Sequence, residues 1–118
     1  MSDSIVKTKS FQFALRIVNL YKLLTSERKE FVMSKQLLRS GTSVGANVRE
    51  AGNAQSSADF IHKLSISQKE CDETLYWLEL LKETYYITEI EFSSMYRDAT
   101  EVLKIIRSII ITTKKKNS

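Results

Sequence analysis

The chain has 118 residues, of which 42% are hydrophobic and 27% charged, and its net charge is +4. This composition argues against a wholly disordered chain and fits one globular domain. It contains no proline and only three glycines, too few chain-turning residues for a β-sandwich or an α/β fold, so an all-α protein is predicted. The single cysteine, Cys71, excludes an internal disulfide and a zinc site built on cysteine pairs.

Apolar residues recur every three or four positions in the first half of the chain, which predicts two amphipathic helices. The first spans about residues 8–24, and its main stripe consists of Phe13, Ile17, Leu20 and Leu24. The second spans about residues 30–53, and one face carries Leu37, Gly41, Val44, Val48, Ala51 and, just beyond its end, Gln55. A polar connection separates the two.

The second half repeats this pattern. A third helix is predicted over about residues 58–86, and its stripe consists of Phe60, Leu64, Ser67, Cys71, Leu75 and Leu78. Ser56 and Asp59 before it resemble a capping box, although the usual partner is Glu or Gln. The Thr88-x-x-Glu91 capping box starts a fourth helix over about residues 89–113. Its stripe consists of Met95, Ala99, Val102, Ile106, Ile109 and Thr113. The basic tail, residues 114–118, is expected to fray.

Four amphipathic helices joined by short connections predict an antiparallel up-down four-helix bundle, with residues 1–118 as a single domain. The longest apolar run, Ile109–Ile111, is far shorter than the ~20 residues of a membrane helix. The first ten residues have no apolar core of a secretory signal, and a lone cysteine suits a reducing compartment. We therefore expect a soluble, cytoplasmic protein with no membrane partner.

Three glycines, Gly41, Gly45 and Gly52, lie close to one line along the second predicted helix. An interior glycine costs roughly 1 kcal/mol relative to alanine, so a seam of them predicts that a neighbouring helix packs closely there. A phosphate-binding loop is the functional alternative. It is excluded because the chain has no G-x-x-x-x-G-K-[ST] motif and no strand precedes the run.

Apolar residues also lie on the rear face of the third helix, where Ile66, Trp77 and Leu80 alternate with Glu70 and Glu73. A second apolar face means either a wide core or a second buried contact, and tryptophan is a typical interface anchor. These five residues are the predicted interface of a homo-oligomer.

Glu70 and Glu73 could also be interpreted as a paired-carboxylate acid–base site. Acidic pairs on helices more often form salt bridges, for which the candidate partners are Arg39, Arg49 and Lys63. Asp59-x-x-His62 resembles half of a di-iron motif, but the chain has one histidine and such sites need two motifs. We therefore predict no catalytic residue, no metal ligand and no cofactor.

Charge is unevenly distributed along the chain. Residues 1–49 hold nine basic and three acidic side chains (+6), residues 50–101 four and eleven (−7), and residues 102–118 five and none (+5). Segments of opposite sign can attract each other within the domain or between copies. Basic residues of the fourth helix share one outward face, which is a candidate nucleic-acid surface or simply a solvated one: Arg97, Lys104, Arg107, Lys114 and Lys115.

Three stretches, SKQLLRSGTSVGANVREA from Ser34, ADFIHKL from Ala58 and ECDETLYWLELL from Glu70, carry a family resemblance. The chain resembles, from about Phe11 to Ile110, the four-helix-bundle proteins encoded in intervening sequences of bacterial 23S rRNA genes, often labelled S23 ribosomal proteins. The resemblance implies a ring-like homo-oligomer, a pentamer, without known enzymatic activity.

A related protein, the accessory variability determinant of diversity-generating retroelements, is a basic oligomer that partners a reverse transcriptase and binds nucleic acid. Our first hypothesis is therefore a non-enzymatic homo-oligomer that binds RNA or a nucleoprotein enzyme through basic faces. The alternative is a protein-interaction scaffold with no affinity for nucleic acid.

Overall fold

The computed structural model describes residues 2–117 of the chain, and these residues form four helices and no strand. The helices are α1 (Ser2–Ser26), α2 (Met33–Ala51), α3 (Ser57–Glu83) and α4 (Glu89–Lys116). The predicted all-α class is confirmed.

The four helices form a closed ring around one core. Each helix packs against its neighbours in sequence, and α1 also packs against α4. Because the connections are short, successive helices run antiparallel, in a body of 48 × 21 × 20 Å. The predicted four-helix bundle is confirmed.

The predicted apolar stripes supply most of the core. Phe60, Leu75 and Ile109 are only half-buried at its edge. Burial of each large apolar side chain contributes about 1.5–3 kcal/mol, so these stripes stabilise the fold. The largest fully buried side chains include Phe13, Ile17, Leu24, Leu37, Leu64, Leu78, Leu81 and Ile106.

Polar side chains inside the bundle tie α2 to α3. The Ser67 hydroxyl donates to the Val44 carbonyl at 2.7 Å, and the Thr74 hydroxyl donates to the Ser40 hydroxyl oxygen at 3.0 Å. No buried side-chain nitrogen or oxygen of the described residues lacks a hydrogen-bond partner. These small polar groups therefore add little desolvation cost.

The first two helices differ from their predicted bounds. α1 begins at Ser2 rather than near residue 8, because Val6 and Ser10 are buried against the bundle and anchor the extra turns. α2 begins at Met33 rather than near residue 30, since Glu30 does not enter it. The buried Glu30 carboxylate instead accepts the backbone N–H groups of Val32, Met33 and Ser34 at 3.2, 3.0 and 2.6 Å.

The third helix begins as predicted, with the Ser56 hydroxyl accepting the Asp59 N–H at 3.0 Å. It ends at Glu83, three residues before the predicted end, because Tyr85 adopts a left-handed conformation with φ 68°. The N–H groups of Tyr85 and Tyr86 donate to the carbonyls of Lys82 and Leu81 at 3.0 and 2.9 Å, the paired bonds of a Schellman motif.

The fourth helix begins at the predicted capping box. Thr88 accepts the Glu91 N–H at 3.1 Å, and the Glu91 carboxylate accepts the Thr88 N–H at 2.8 Å. The helix continues to Lys116, so the expectation of a frayed tail is wrong for residues 114–116. Lysines in the last turn complement the negative end of the helix dipole. Ser118 lies outside the described residues.

Candidate functional surfaces

The five basic residues predicted to share a face of α4 are all solvent-exposed. They lie outside the buried stripe of this helix, and at 1.5 Å per residue the row from Arg97 to Lys115 extends about 27 Å. We call this row, Arg97, Lys104, Arg107, Lys114 and Lys115, the basic face.

Two acidic residues of α4, Asp98 and Glu101, lie within the span of the basic face and pair with cations of α1. The Asp98 carboxylate lies 2.6 Å from the Arg16 guanidinium, and the Glu101 carboxylate lies 3.5 Å from the Lys9 ammonium. These pairs offset part of the charge of both acids. From Arg97 to Lys115, α4 carries five basic and two acidic side chains, so this part of the helix has a net positive charge.

Arg107 lies at the edge of the basic face that adjoins α3. Its guanidinium is 3.9 Å from the Asp72 carboxylate, a distance at which the two half-exposed groups attract only weakly. The positive charge of the basic face is therefore uneven, because Asp72 of α3 partly offsets the charge of Arg107.

The outward face of α3 carries the five residues predicted as an oligomer interface. Ile66, Trp77 and Leu80 are each half-buried within one chain. Trp77 packs partly against the core, and its ring meets that of Tyr76 edge-on, with centroids 5.1 Å apart. Tyr76, which the sequence pattern did not single out, is half-exposed and enlarges this apolar surface.

Glu70 and Glu73 are engaged by Arg39 of α2, one of the three partners considered from sequence. The Arg39 guanidinium lies 3.2 Å from Glu70 and also donates to Glu73. The Trp77 indole N–H donates to Glu73 at 3.0 Å, and the hydrogen bonds from Trp77 and Arg39 hold the pKa of Glu73 below its usual value. A carboxylate kept ionised by two donors is a poor proton acceptor.

The other two cations have different contacts. Lys63 lies 3.0 Å from Glu50, and the Arg49 guanidinium lies over the Phe11 ring, 5.9 Å from its centroid. Of the three candidate cations, Arg39 is therefore the one that forms salt bridges with Glu70 and Glu73.

All three glycines lie close to a residue of α1. A Cβ added at Gly41 would come within 2.7–2.9 Å of three Ile17 carbons, and one at Gly45 would lie 3.3 Å from the Ser10 carbonyl oxygen. At Gly52, the exposed C-cap of α2, an added Cβ would lie 3.2 Å from the Lys7 Cε atom, at the far end of a flexible side chain of α1. Gly41 and Gly45 thus meet a core side chain or the backbone of α1, whereas Gly52 meets a side chain that can move.

A groove between α1 and α2 was not foreseen from sequence. Its volume is about 490 Å³, and its lining includes Lys7, Phe11 and Ala14 of α1 and Gly45 and Arg49 of α2. The signal in the sequence was the run of small residues in α2, which leaves space beside the helix that it packs against.

The one cysteine and the one histidine of the chain lie in different environments. Burial raises the pKa of the Cys71 thiol to about 12, and this thiol faces the Ala99 carbonyl at 3.4 Å. His62 is exposed on the outer side of α3. Within residues 2–117, no three His, Cys, Asp or Glu side chains are grouped as metal ligands. Over the same span, no helix combines the length and apolar character that crossing a bilayer requires.

The fold and its surfaces define an all-α four-helix-bundle protein. The model of the family described as 23S rRNA-intervening sequence protein matches residues 2–108, and the chain belongs to this family. It is similar to the crystal structure of a protein of unknown function from the S23 ribosomal protein family of Bacteroides thetaiotaomicron VPI-5482. The two are 63% identical with a TM-score of 0.92, and the match covers 93% of this chain and 98% of that one. No curated protein matches the chain significantly.

Proposed function

We propose that this protein is a non-enzymatic, cytoplasmic homo-oligomer that binds RNA, alone or within a nucleoprotein, through its basic face. The observation that carries the proposal is the exposed row of cations along α4, within which the two acids, Asp98 and Glu101, pair with cations of α1. Such a row attracts a phosphate backbone by releasing condensed counterions.

Assembly supports this function because each additional subunit contributes another copy of the basic face. One bundle presents a single row, whereas a ring of identical subunits, five by family resemblance, repeats it around a common axis and strengthens the field. We place the subunit contact on the outward face of α3, where Ile66, Trp77 and Leu80 form an apolar patch beside the Arg39 ion pairs.

RNA binding is tested by fluorescence anisotropy with a labelled single-stranded RNA over a series of salt concentrations. The double variant Lys104→Glu/Arg107→Glu should bind at least about tenfold more weakly than the parent, because two attractive charges become repulsive. The slope of log affinity against log salt should also fall.

The matched control is Lys22→Glu/Lys35→Glu, which makes the same change in net charge at two exposed positions of α1 and α2. It should retain most of the affinity. An equal loss in both variants would indicate a non-specific response to net charge. Failure of the parent to bind RNA even at low ionic strength would overturn the proposal in favour of a protein-interaction scaffold without nucleic-acid affinity.

Assembly is tested by sedimentation velocity. Trp77→Ala should shift the protein towards smaller species, since a central tryptophan contributes strongly to an interface. Because Trp77 also contacts the core, Leu80→Glu serves as a second variant that changes mainly the outward surface. Leu15→Ala, which trims a half-exposed side chain on α1, is the control and should leave the mass unchanged. A monomeric parent would contradict the assembly proposal.

A further inference from the structure

The two connections α1–α2 and α3–α4 lie at the same end of the bundle and are joined by one side chain. The Arg28 guanidinium donates to the Tyr86 carbonyl at 2.8 Å and to both Glu91 carboxylate oxygens, each at 2.8 Å. A bidentate contact of this kind fixes the relative orientation of the Arg28 and Glu91 side chains as well as their distance. The two connections therefore form one continuous surface.

This end carries the most exposed large apolar side chains of the described residues. Phe31 is 60% exposed, Val32 74%, Tyr85 93% and Ile90 83%. We call these four residues the apolar tip. Single exposed apolar residues are common on protein surfaces, but a group of them at one site marks an interaction surface.

Backbone conformation and backbone hydrogen bonds fix the shape of the apolar tip, although its side chains remain exposed. Tyr85 adopts φ 68° and Lys29 φ 57°, conformations that glycine or asparagine takes at lower cost. On the other connection, Glu30 binds three successive N–H groups directly beside Phe31 and Val32. The surface is therefore preformed, which lowers the entropic cost of binding.

Acidic side chains flank the apolar tip. Glu27, Glu83 and Glu89 are exposed there, and the last two share a single cation, Lys82, at 3.4 and 3.7 Å. Lys29 is also exposed at this end, so carboxylates outnumber cations but do not stand alone. Exposed carboxylates repel RNA and anionic lipid, and they attract a cationic ligand. The chemistry that complements this surface is an apolar face bordered by lysine or arginine.

We propose that the apolar tip docks a positively charged amphipathic segment of a partner protein, with apolar side chains seated on Tyr85 and Ile90 and cations beside Glu83 and Glu89. This site lies on a different surface from the basic face. Whether this site binds a partner is independent of whether the basic face binds RNA.

The test is an NMR titration of the isotopically labelled full chain with a short synthetic helical peptide of leucine and lysine. Chemical-shift changes should be confined to the two connections and the first turns of α2 and α4. The same peptide with glutamate in place of lysine is the matched probe, and it should produce no comparable changes because the flanking carboxylates repel it.

The double variant Tyr85→Ser/Ile90→Ser should weaken binding of the lysine peptide about tenfold or more, since it removes two exposed anchors. Both side chains are almost fully exposed, so the variant should remain folded. Leu15→Ser/Ile111→Ser, a matched change of two half-exposed residues on α1 and α4, should bind as the parent does.

Three results would overturn this proposal. The first is no shift at the apolar tip with the lysine peptide, and the second is an equal response to the glutamate peptide. The third is insertion of the apolar tip into neutral phosphatidylcholine vesicles, which would make it a membrane-contacting surface. RNA affinity should be the same in the parent and in the Tyr85→Ser/Ile90→Ser variant, which separates this site from the basic face.

Discussion

At the scale of single residues, the structure explains why small and polar side chains occur inside the bundle. Gly41 leaves room for Ile17, and any larger residue at position 41 would displace side-chain carbons of Ile17. Ser40, Ser67 and Thr74 are buried but hydrogen-bonded between α2 and α3. Each of these positions can be tested by substitution.

Gly41→Ala should lower the free energy of unfolding by about 1–3 kcal/mol, because the new methyl overlaps the buried Ile17 side chain and outweighs the gain in helix propensity. Urea denaturation measures the change. Gly52→Ala is the control, since Gly52 is exposed with φ −62°, and it should be neutral within about 1 kcal/mol. A neutral Gly41→Ala would show that the core repacks freely there.

Cys71 should be unreactive towards thiol reagents in the folded protein. Its pKa of about 12 leaves roughly one molecule in ten thousand as thiolate at pH 8, and the sulfur is fully buried. Modification by a chromogenic disulfide should be slow in buffer and rapid in concentrated urea. Since the chain has one cysteine, the signal is unambiguous, and fast labelling in buffer would contradict the described burial.

At the scale of elements, each helix end is defined by a specific group. The Thr88–Glu91 capping box is a local pattern, so the sequence predicted where α4 begins. The ends at Glu30 and Tyr85 were predicted incorrectly, because neither residue type signals a helix boundary by itself. Glu30 caps α2 only because burial places its carboxylate over three N–H groups, and Tyr85 ends α3 through a rare backbone conformation.

Glu91 joins the start of α4 to Arg28, and this should make stability depend on pH. Hydrogen bonding to Arg28, with help from Thr88, lowers the pKa of Glu91 to about 2 from 4.5. A carboxyl with a depressed folded-state pKa stabilises fully above its unfolded value, and the contribution is lost as pH falls through the folded value. Stability should therefore decline from about pH 4.5 towards pH 2.

Glu91→Gln should reduce stability at pH 6 by about 1–2 kcal/mol and should flatten the decline towards pH 2. Urea denaturation at several pH values measures both effects. Glu83→Gln changes a carboxyl whose side chain is 73% exposed, and it should leave the profile nearly unchanged. An identical pH profile for Glu91→Gln and the parent would rule out this contact as the cause.

At the scale of the whole molecule, the opposite charges of the chain segments meet within one bundle. Cations of residues 1–49 pair with acids of residues 50–101 across helices, as Arg16 does with Asp98 and Arg28 with Glu91. Arg107 from the basic last segment pairs with Asp72. The sequence left open whether such attraction acts within or between copies, and these pairs place part of it within the chain.

Because these ion pairs lie at the surface, salt should affect stability only slightly. We expect 1 M sodium chloride to lower the free energy of unfolding by about 1 kcal/mol or less, since exposed pairs contribute little and are screened at that concentration. Denaturation with urea, which is uncharged, provides the measurement. A loss greater than about 3 kcal/mol would mean that electrostatics, rather than core burial, holds the bundle together.

The sequence by itself determined the class, the number and order of helices, the main core stripes and the basic face of α4. These follow from periodicity, because a helix turns about 100° per residue and so assigns each residue to a face. Only the tertiary structure decided that Arg39 binds Glu70 and Glu73, that α1 closes onto Gly41, and that two distant connections form the apolar tip. Such features depend on which helices become neighbours, and helical periodicity within one segment contains no information about the segment beside it.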